Sequence, residues 1–371
     1  MLNLMLVTAA SVALAYGSQK LNPSGLDRRG RVYWDICLVL MTVVMTLFVG
    51  LRTSYNDTAA YITGFQNAES VAAFLADPEN LDILHNPLFY FITCLFRQLT
   101  DNYHLYLMAF AVFNTVLFVR FLRRYAPEGG FAFVVFLYFA IGVFTFSMAA
   151  LKQITASAVL TLAIPALVDK KWGRYYLLVL IAGLIHTYAF IFAFLPLLSG
   201  KPWGWKTLLL LAGTLAVMLT FEDTIGTLLE YADSMGKHVA EYEVFDGNQM
   251  NPFRVAVFAV VPVLSLVFRP WLAPEEDREK CILLNMSIVS LMFMLLAMMN
   301  GANMFGRLAR YFVLGSVCTL PWIVDRVFNA RSARIIKLLA AVCFLGFFLY
   351  DNQGFSQAYH AISLTGFIFG R

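Results

Sequence analysis

The sequence predicts an all-α, polytopic transmembrane helix bundle of about 11–13 membrane segments, some of them re-entrant or broken. The 371 residues are 60% hydrophobic and only 13% charged, with a mean hydropathy of +0.71. The apolar residues form long runs separated by mostly short polar loops. This composition excludes a soluble globular domain and a disordered chain. We therefore expect a single integral membrane domain over residues 1–371.

The apolar runs define the membrane segments, and several are shorter than the about 20 residues that a full crossing needs. The first run has no basic residue before it and a basic cluster after it, which predicts an external N-terminus and no cleaved signal. The runs lie at about residues 2–16, 33–50, 87–99, 103–122, 129–148, 152–168, 175–198, 206–221, 252–268, 281–299, 311–324 and 335–350.

The small net charge of +4 is spread over the loops between these runs, so it indicates membrane topology and no nucleic-acid partner. The five cysteines lie inside apolar runs without metal-ligand spacing, and we expect neither disulfides nor a zinc site. The sequence has no nucleotide-binding loop, serine-hydrolase elbow, zinc-protease motif or metal-binding acidic pair. We accordingly predict no cofactor and no metal.

Basic loops usually lie on the cytoplasmic side of the membrane. If all the basic loops of this chain do so, two of the apolar runs cannot each be one full membrane crossing. Pro87–Thr100 is predicted to dip into the outer leaflet or to lie along it. Tyr175–Leu198 is predicted to leave and return as two short half-helices that turn near His186. The alternative is one ordinary helix followed by an exception to the charge rule.

Arg307, Arg310 and Tyr311 have the spacing i, i+3 and i+4. A helix that starts near Gly306 would present them on one face at its N-terminal end, where two guanidiniums could hold a phosphate or diphosphate. The alternative is a pair of interfacial arginines whose charged ends reach the lipid headgroups.

Arg52 follows an apolar run directly, and Asp57 and Tyr61 lie at i and i+4, a spacing that could open a short helix. Charge at such a position is usually functional. Arg52 would then hold a phosphate, while Asp57 would orient or deprotonate a sugar hydroxyl. The alternative is a simple ion pair between Arg52 and Asp57.

Lys152 and Gln153 begin another span after a turn, and His186 is flanked on both sides by apolar residues. The lysine is either a ligand-binding cation or a residue that extends to the membrane surface. A histidine at membrane depth needs a partner and has a pKa suited to proton transfer, although a structural histidine is the alternative.

The loop from Phe221 to Asn251 is acidic, and its apolar residues are spaced as an amphipathic stripe. This pattern predicts an extracytoplasmic surface helix that covers the cavity as a lid. A purely structural flap is the alternative.

Taken in order, these segments resemble the EpsG/Wzy-type bacterial polysaccharide polymerases of O-antigen, capsule or exopolysaccharide. One departure concerns Lys152, because the family usually has arginine before the glutamine; lysine keeps the charge but loses the two-pronged contact. The matching segments are Gly50–Arg52 with Asp57 and Tyr61, Leu151–Gln153 with Ala156, Ala182–His186 with Thr187 and Ala189, and Arg307–Phe312 before Pro321.

The resemblance implies a glycosyltransferase-C-like fold and a metal-independent glycosyltransferase in the bacterial cytoplasmic membrane, with its active site facing the periplasm or exterior. Such enzymes transfer a growing glycan from undecaprenyl diphosphate to the terminal sugar of a lipid-linked oligosaccharide. Membrane lipids and a chain-length regulator would be further partners.

Under this resemblance, cations stabilise the leaving diphosphate and a base accepts the proton of the acceptor hydroxyl. Arg52, Arg307 and Arg310 are expected to converge on one outward-facing pocket. The implied catalytic residues are His186 and Asp57, which compete as the base, and the implied substrate-binding residues are Arg52, Tyr61, Lys152, Gln153, Arg307, Arg310 and Tyr311.

Two other functions remain open on the sequence alone. A flippase or transporter of lipid-linked oligosaccharides would also need basic cavity residues, but an internal repeat would be expected. A membrane O-acyltransferase would need a histidine with an acidic partner, for which Asp101 and His104 are the nearest candidates.

Overall fold

The computed structural model describes residues 1–220, 248–272 and 277–369. The protein is an all-α, polytopic membrane protein, as predicted, with a two-stranded antiparallel sheet formed by β1 (Arg52–Ser54) and β2 (His360–Ala361). Most of the predicted lid over residues 221–251 lies outside the described residues. The helices are α1 (Leu2–Leu21), α2 (Ile36–Gly50), α3 (Thr58–Gln66), α4 (Val71–Ala76), α5 (Pro87–Leu99), α6 (Tyr103–Tyr125), α7 (Phe131–Ala140), α8 (Val143–Ala149), α9 (Leu151–Val168), α10 (Trp172–Ile185), α11 (Trp205–Leu219), α12 (Pro252–Val267), α13 (Arg269–Leu272), α14 (Arg278–Met299), α15 (Ala302–Phe312), α16 (Leu314–Val327), α17 (Ala330–Asp351), α18 (Phe355–Ala358) and α19 (Leu364–Phe369), with 3-10 turns at Pro78–Leu81 and Ile83–His85 and a 3-10 helix at Thr187–Leu198.

Five of the described helices are long and apolar enough to cross a membrane, and the number rises to seven if each of two bent pairs is one span. The pairs are α7 with α8, bent by 49°, and α15 with α16, bent by 52°. Gly142 explains the first bend, because its φ of 80° lies in the left-handed region that favours glycine. Shorter apolar helices of 10–17 residues account for most of the other predicted segments.

Side-chain caps fix where several helices begin. Asp35 accepts a hydrogen bond from the Leu38 N–H at the start of α2, and Asn102 accepts one from the His104 N–H at the start of α6. These caps satisfy backbone donors that have no partner in the first helical turn.

The contacts divide the chain into two compact units. Unit 1 comprises residues 1–193 and 331–371, and unit 2 comprises residues 194–330. In unit 1, α2 packs against α1 and α6, α6 packs against α9, and α9 packs against α10. The Asn114 amide donates a hydrogen bond of 3.1 Å to the Thr155 hydroxyl and thereby joins α6 to α9 inside the core.

The predicted break near His186 is confirmed. Helix α10 ends at Ile185, and His186 is extended, with φ −150° and ψ 113°, before the 3-10 helix starts at Thr187. The alternative of one continuous helix is therefore wrong. A 3-10 segment inside an apolar run is uncommon and often marks a functional position.

After His186 the chain folds back along α10. The hydroxyl of Tyr175, near the start of α10, donates a hydrogen bond to the Phe192 carbonyl. The Phe190 ring lies against Gly183, where a Cβ atom would overlap it. These contacts explain the glycine and give the segment the hairpin form that the charge pattern predicts.

In unit 2, α14 packs against α11, α12, α15 and α16. Helix α15 begins at Ala302, so the prediction of a helix start near Gly306 is wrong. Gly301 precedes the helix with φ 64°, and the Ala302 N–H donates to the Asn248 carbonyl, which sets the earlier start. Arg307 and Arg310 consequently lie in the second half of α15, and they do not form an anion site at its N-terminus.

Candidate functional site

Arg52 occupies a fully buried position where β1 leaves the end of α2, with an exposed fraction of 0%. Its Nε donates a hydrogen bond of 3.2 Å to the Thr58 hydroxyl, and its Nη1 donates one of 2.7 Å to the Val49 carbonyl. Its Nη2 is buried without a hydrogen-bond partner among the described residues. One corner of the guanidinium therefore keeps donors for another group.

The surroundings of Arg52 supply no counter-charge from the described residues, so the predicted alternative of an Arg52–Asp57 ion pair is wrong. Burial lowers the pKa of Arg52 to about 10, and its electrostatic neighbours are the phenols of Tyr359, Tyr61 and Tyr106. Burial also raises the pKa of Tyr359 to about 12, so that phenol is neutral at pH 7. Arg52 thus remains a cation, and an uncompensated buried cation favours binding of an anion.

A short C-terminal segment covers Arg52. Strand β2 pairs with β1 so that Ala361 lies opposite Arg52, and the Ile362 N–H donates to the Leu51 carbonyl at 3.0 Å. The Tyr359 ring stacks on Phe48 at 4.7 Å, and its hydroxyl donates to the Phe48 carbonyl at 2.7 Å. The cover is held mainly by ring packing and a few hydrogen bonds, because a two-stranded pair this short is marginal by itself.

Asp57 and Tyr61 open the short helix α3, as predicted: Asp57 precedes its first residue, and the Tyr61 N–H donates to the Asp57 carbonyl. The Asp57 side chain is exposed. Tyr61 connects two parts of the site, because its phenol interacts electrostatically with Arg52 and its hydroxyl accepts a 3.5 Å hydrogen bond from the Lys152 backbone N–H.

Lys152 stands in the first turn of α9, and Gln153 beside it is buried. The Lys152 ammonium donates a hydrogen bond of 3.1 Å to the Tyr90 hydroxyl and lies 5.0 Å from the centre of the Tyr90 ring. It also lies 6.0 Å from the ring of Phe89, which contacts Tyr61 edge-on at 5.9 Å. Lys152 is therefore held by an aromatic cluster of the α3 and α5 helices, and this cluster is within reach of Arg52 through Tyr61.

The turn after α10 reaches the same end of unit 1. Asn86, which precedes α5 with φ 59°, accepts a hydrogen bond of 2.9 Å from the Thr187 N–H. The partly buried His186 ring contacts Tyr188 edge-on at 5.1 Å. Because Asn86 and Tyr90 are four residues apart at the start of α5, His186 and Lys152 flank the same helical turn.

Sequence reasoning missed Asn86 and Tyr90. Their signal is local: an asparagine before Pro87 at a helix start, followed by an aromatic-rich first turn. Both side chains bind partners that come from distant parts of the chain, at Thr187 and Lys152. A short amphipathic helix offers no sequence pattern that identifies such partners.

In unit 2, the Arg307 Nε donates a hydrogen bond of 2.9 Å to the Asn303 side chain one helical turn earlier. Arg307 and Arg310 are both partly buried, whereas Tyr311 is 2% exposed. The convergence of these arginines with Arg52 stays a prediction. No group of three or more His, Cys, Asp or Glu residues that could hold a metal ion occurs in the described ranges.

A sequence model of the EpsG family matches residues 35–362, which include every predicted site residue as well as both strands around Arg52. No curated protein and no solved structure matches the chain.

Proposed function

The chain belongs to the EpsG family, and on that premise we propose that it is a polysaccharide repeat-unit polymerase. In this proposal it transfers a glycan from undecaprenyl diphosphate to the terminal sugar of a second lipid-linked oligosaccharide. The reaction takes place at the outer face of the bacterial cytoplasmic membrane. It needs no metal, because arginine and lysine side chains supply the positive charge.

The single observation that carries the proposal is the buried Arg52 guanidinium without a described carboxylate partner. When the bond between the anomeric carbon and the diphosphate oxygen breaks, negative charge develops on the leaving group. A preorganised cation in a site without bulk water stabilises such charge strongly. The Nη2 atom of Arg52 is the donor left for this role.

Access to Arg52 requires movement of the β2 cover. Two strands of three and two residues pair over the arginine, and the cost of separating so short a pair is small compared with that of opening a helix. A diphosphate that enters would place a counter-charge beside Arg52, whose present electrostatic neighbours are neutral phenols.

The acceptor sugar supplies the oxygen of the new glycosidic bond and must lose its hydroxyl proton to a base. His186 and Asp57 are the candidates: Asp57 follows Arg52 by five residues, and the turn that contains His186 contacts Asn86 through Thr187. Lys152 and Gln153 would bind the diphosphate or a sugar beside it, together with Tyr61. Arg307, Arg310 and Tyr311 are further candidates for stabilising the diphosphate.

The glycans of a deletion strain test the proposal. We expect single repeat units on the lipid carrier at the outer face, and restored polymer when the wild-type gene is returned. A deletion strain that still makes polymer of normal length would contradict the proposal. Repeat units that accumulate on the cytoplasmic face would instead indicate a flippase.

A further inference from the structure

Tyr90 is 43% exposed as a residue, and its hydroxyl is held by a hydrogen bond. The Lys152 ammonium fixes the phenol by the 3.1 Å hydrogen bond and lies 5.0 Å from the ring centre. Edge-on contact with Phe89 at 5.8 Å supports the ring from the side. The ring is therefore kept in one orientation with an accessible surface.

We propose that Tyr90 and Lys152 form a sugar-binding subsite, in which a pyranose ring stacks on Tyr90 and its oxygen atoms accept hydrogen bonds from Lys152. This inference rests on the proposed function, and it identifies where the oligosaccharide next to the diphosphate is held. The sequence motifs that resemble the family include Lys152 but not Tyr90, so the pairing of these two residues comes from the structure.

The chemistry of the pair fits a sugar. The face of an aromatic ring is electron-rich, and the C–H groups on one side of a pyranose carry a small positive charge, so the two surfaces attract each other. An ammonium has three N–H donors, and the described side-chain contacts of Lys152 use one of them. The remaining donors can bind sugar hydroxyls or, in an acidic sugar, a carboxylate.

The position of the pair fits the neighbour of a diphosphate. Tyr61 interacts electrostatically with Arg52 on one side and accepts the Lys152 backbone N–H on the other. A ligand whose phosphate reaches Arg52 would therefore place its first sugars toward Tyr90. The contact between Asn86 and Thr187 brings the His186 turn to the same helical turn as Tyr90.

An exposed tyrosine at a membrane boundary can also be a simple interfacial residue. The chain contains a matched control for that possibility. Tyr16 on α1 is 52% exposed and has the Lys20 ammonium 5.3 Å from its ring centre, so it repeats the tyrosine–lysine pairing away from the site.

The test uses the full-length protein in detergent micelles and, as the probe, the single-repeat oligosaccharide released by partial acid hydrolysis of the host's own surface polysaccharide. Binding is followed by saturation-transfer NMR titration. We expect Tyr90→Ala to weaken binding by about 10-fold, the effect of losing one aromatic stacking contact. Tyr90→Phe, which keeps the ring, should stay within about threefold of wild type, and Tyr16→Ala should bind as wild type does.

The subsite would be overturned by Tyr90→Ala binding as tightly as wild type, by Tyr90→Phe being as weak as Tyr90→Ala, or by wild type failing to bind the probe. An equal loss of probe binding in Tyr16→Ala would also overturn the subsite, because it would show that any exposed tyrosine beside a lysine binds the probe nonspecifically. Thermal melting of each variant separates lost binding from lost folding. The readout involves no polymerisation, so its failure is distinct from a deletion strain that still makes polymer.

Discussion

Arg52 and Arg123 are both buried arginines of unit 1, with exposed fractions of 0% and 1%, and they lie near opposite ends of α2. Arg123 has a carboxylate nearby, although its Nε, like Nη2 of Arg52, is buried without a hydrogen-bond partner among the described residues. Its guanidinium lies 4.7 Å from the Phe131 ring centre, donates to the Asn22 carbonyl and interacts electrostatically with Asp35, the capping residue of α2. Arg52 has neutral partners and no described carboxylate near it.

The comparison teaches that burial alone does not identify a functional cation. Gly25 leaves the space that the Arg123 guanidinium occupies. Its φ is 73°, and a Cβ atom at that position would lie 2.6 Å from the guanidinium carbon. The Ser18 hydroxyl also donates a 2.6 Å hydrogen bond to Asp35, which fixes the nearby carboxylate. A buried cation with a fixed counter-charge is structural, whereas one without it is available to an anion.

Arg52→Met should give the largest effect on function. We expect polymer formation to fall at least about 100-fold, since the variant loses a preorganised donor to the developing charge. Its melting temperature in detergent should not fall, because the change replaces a buried cation that has no described carboxylate partner by an apolar chain of similar reach. Arg31→Met on an exposed loop is the control for both measurements. A variant that melts early but polymerises normally would reverse the assignment of the two arginines.

Arg123→Met should show the opposite pattern. We expect the protein to lose about 2 kcal/mol of folding stability, because the change removes a cation–ring contact and hydrogen bonds from a buried site. Polymer formed per folded molecule should stay at the wild-type level. The measurement is thermal melting in detergent combined with polymer yield normalised to folded protein. A selective loss of polymer without destabilisation would show that Arg123 also serves the reaction.

Tyr359→Phe should have the smallest effect and would refine the picture of how Arg52 is covered. The variant keeps the ring stacked on Phe48 but loses the hydroxyl hydrogen bond to the Phe48 carbonyl, a loss of about 1 kcal/mol. We expect the Ile362 amide, which pairs with Leu51, to exchange its hydrogen about fivefold faster. Unchanged exchange at Ile362 would mean that ring packing alone holds the cover. The Leu38 amide, capped by Asp35, provides the internal reference.

The sequence was sufficient to predict elements that depend on local physics. Apolar run length gave the helices, and the charge rule gave the break at His186, because a basic loop on the wrong side is costly. It failed at the start of α15, where the fixing contact is a backbone hydrogen bond between Ala302 and Asn248. Spacing alone contains no information about such a contact.

The candidate site also has parts that local sequence predicts and parts that depend on contacts between distant residues. Chemistry near the ends of apolar runs predicts Arg52, Asp57, Tyr61 and Lys152 as site residues, and a polar side chain inside an apolar run predicts His186. The missing parts, Asn86 and Tyr90 together with the β2 cover, are defined by contacts between residues far apart in sequence. Ordinary polar and aromatic residues acquire their roles only through those contacts.

The bond from Tyr359 to Phe48 joins residues 311 positions apart, so the enclosure of Arg52 depends on contacts between distant parts of the sequence. During synthesis the segment with Arg52 leaves the ribosome well before its cover does. Until then the arginine lacks the strand pairing and stacked rings that bury it. A nascent protein in which the Arg52 segment has been inserted therefore still has an open charge pocket, and the pairing of β2 with β1 is the contact that closes it.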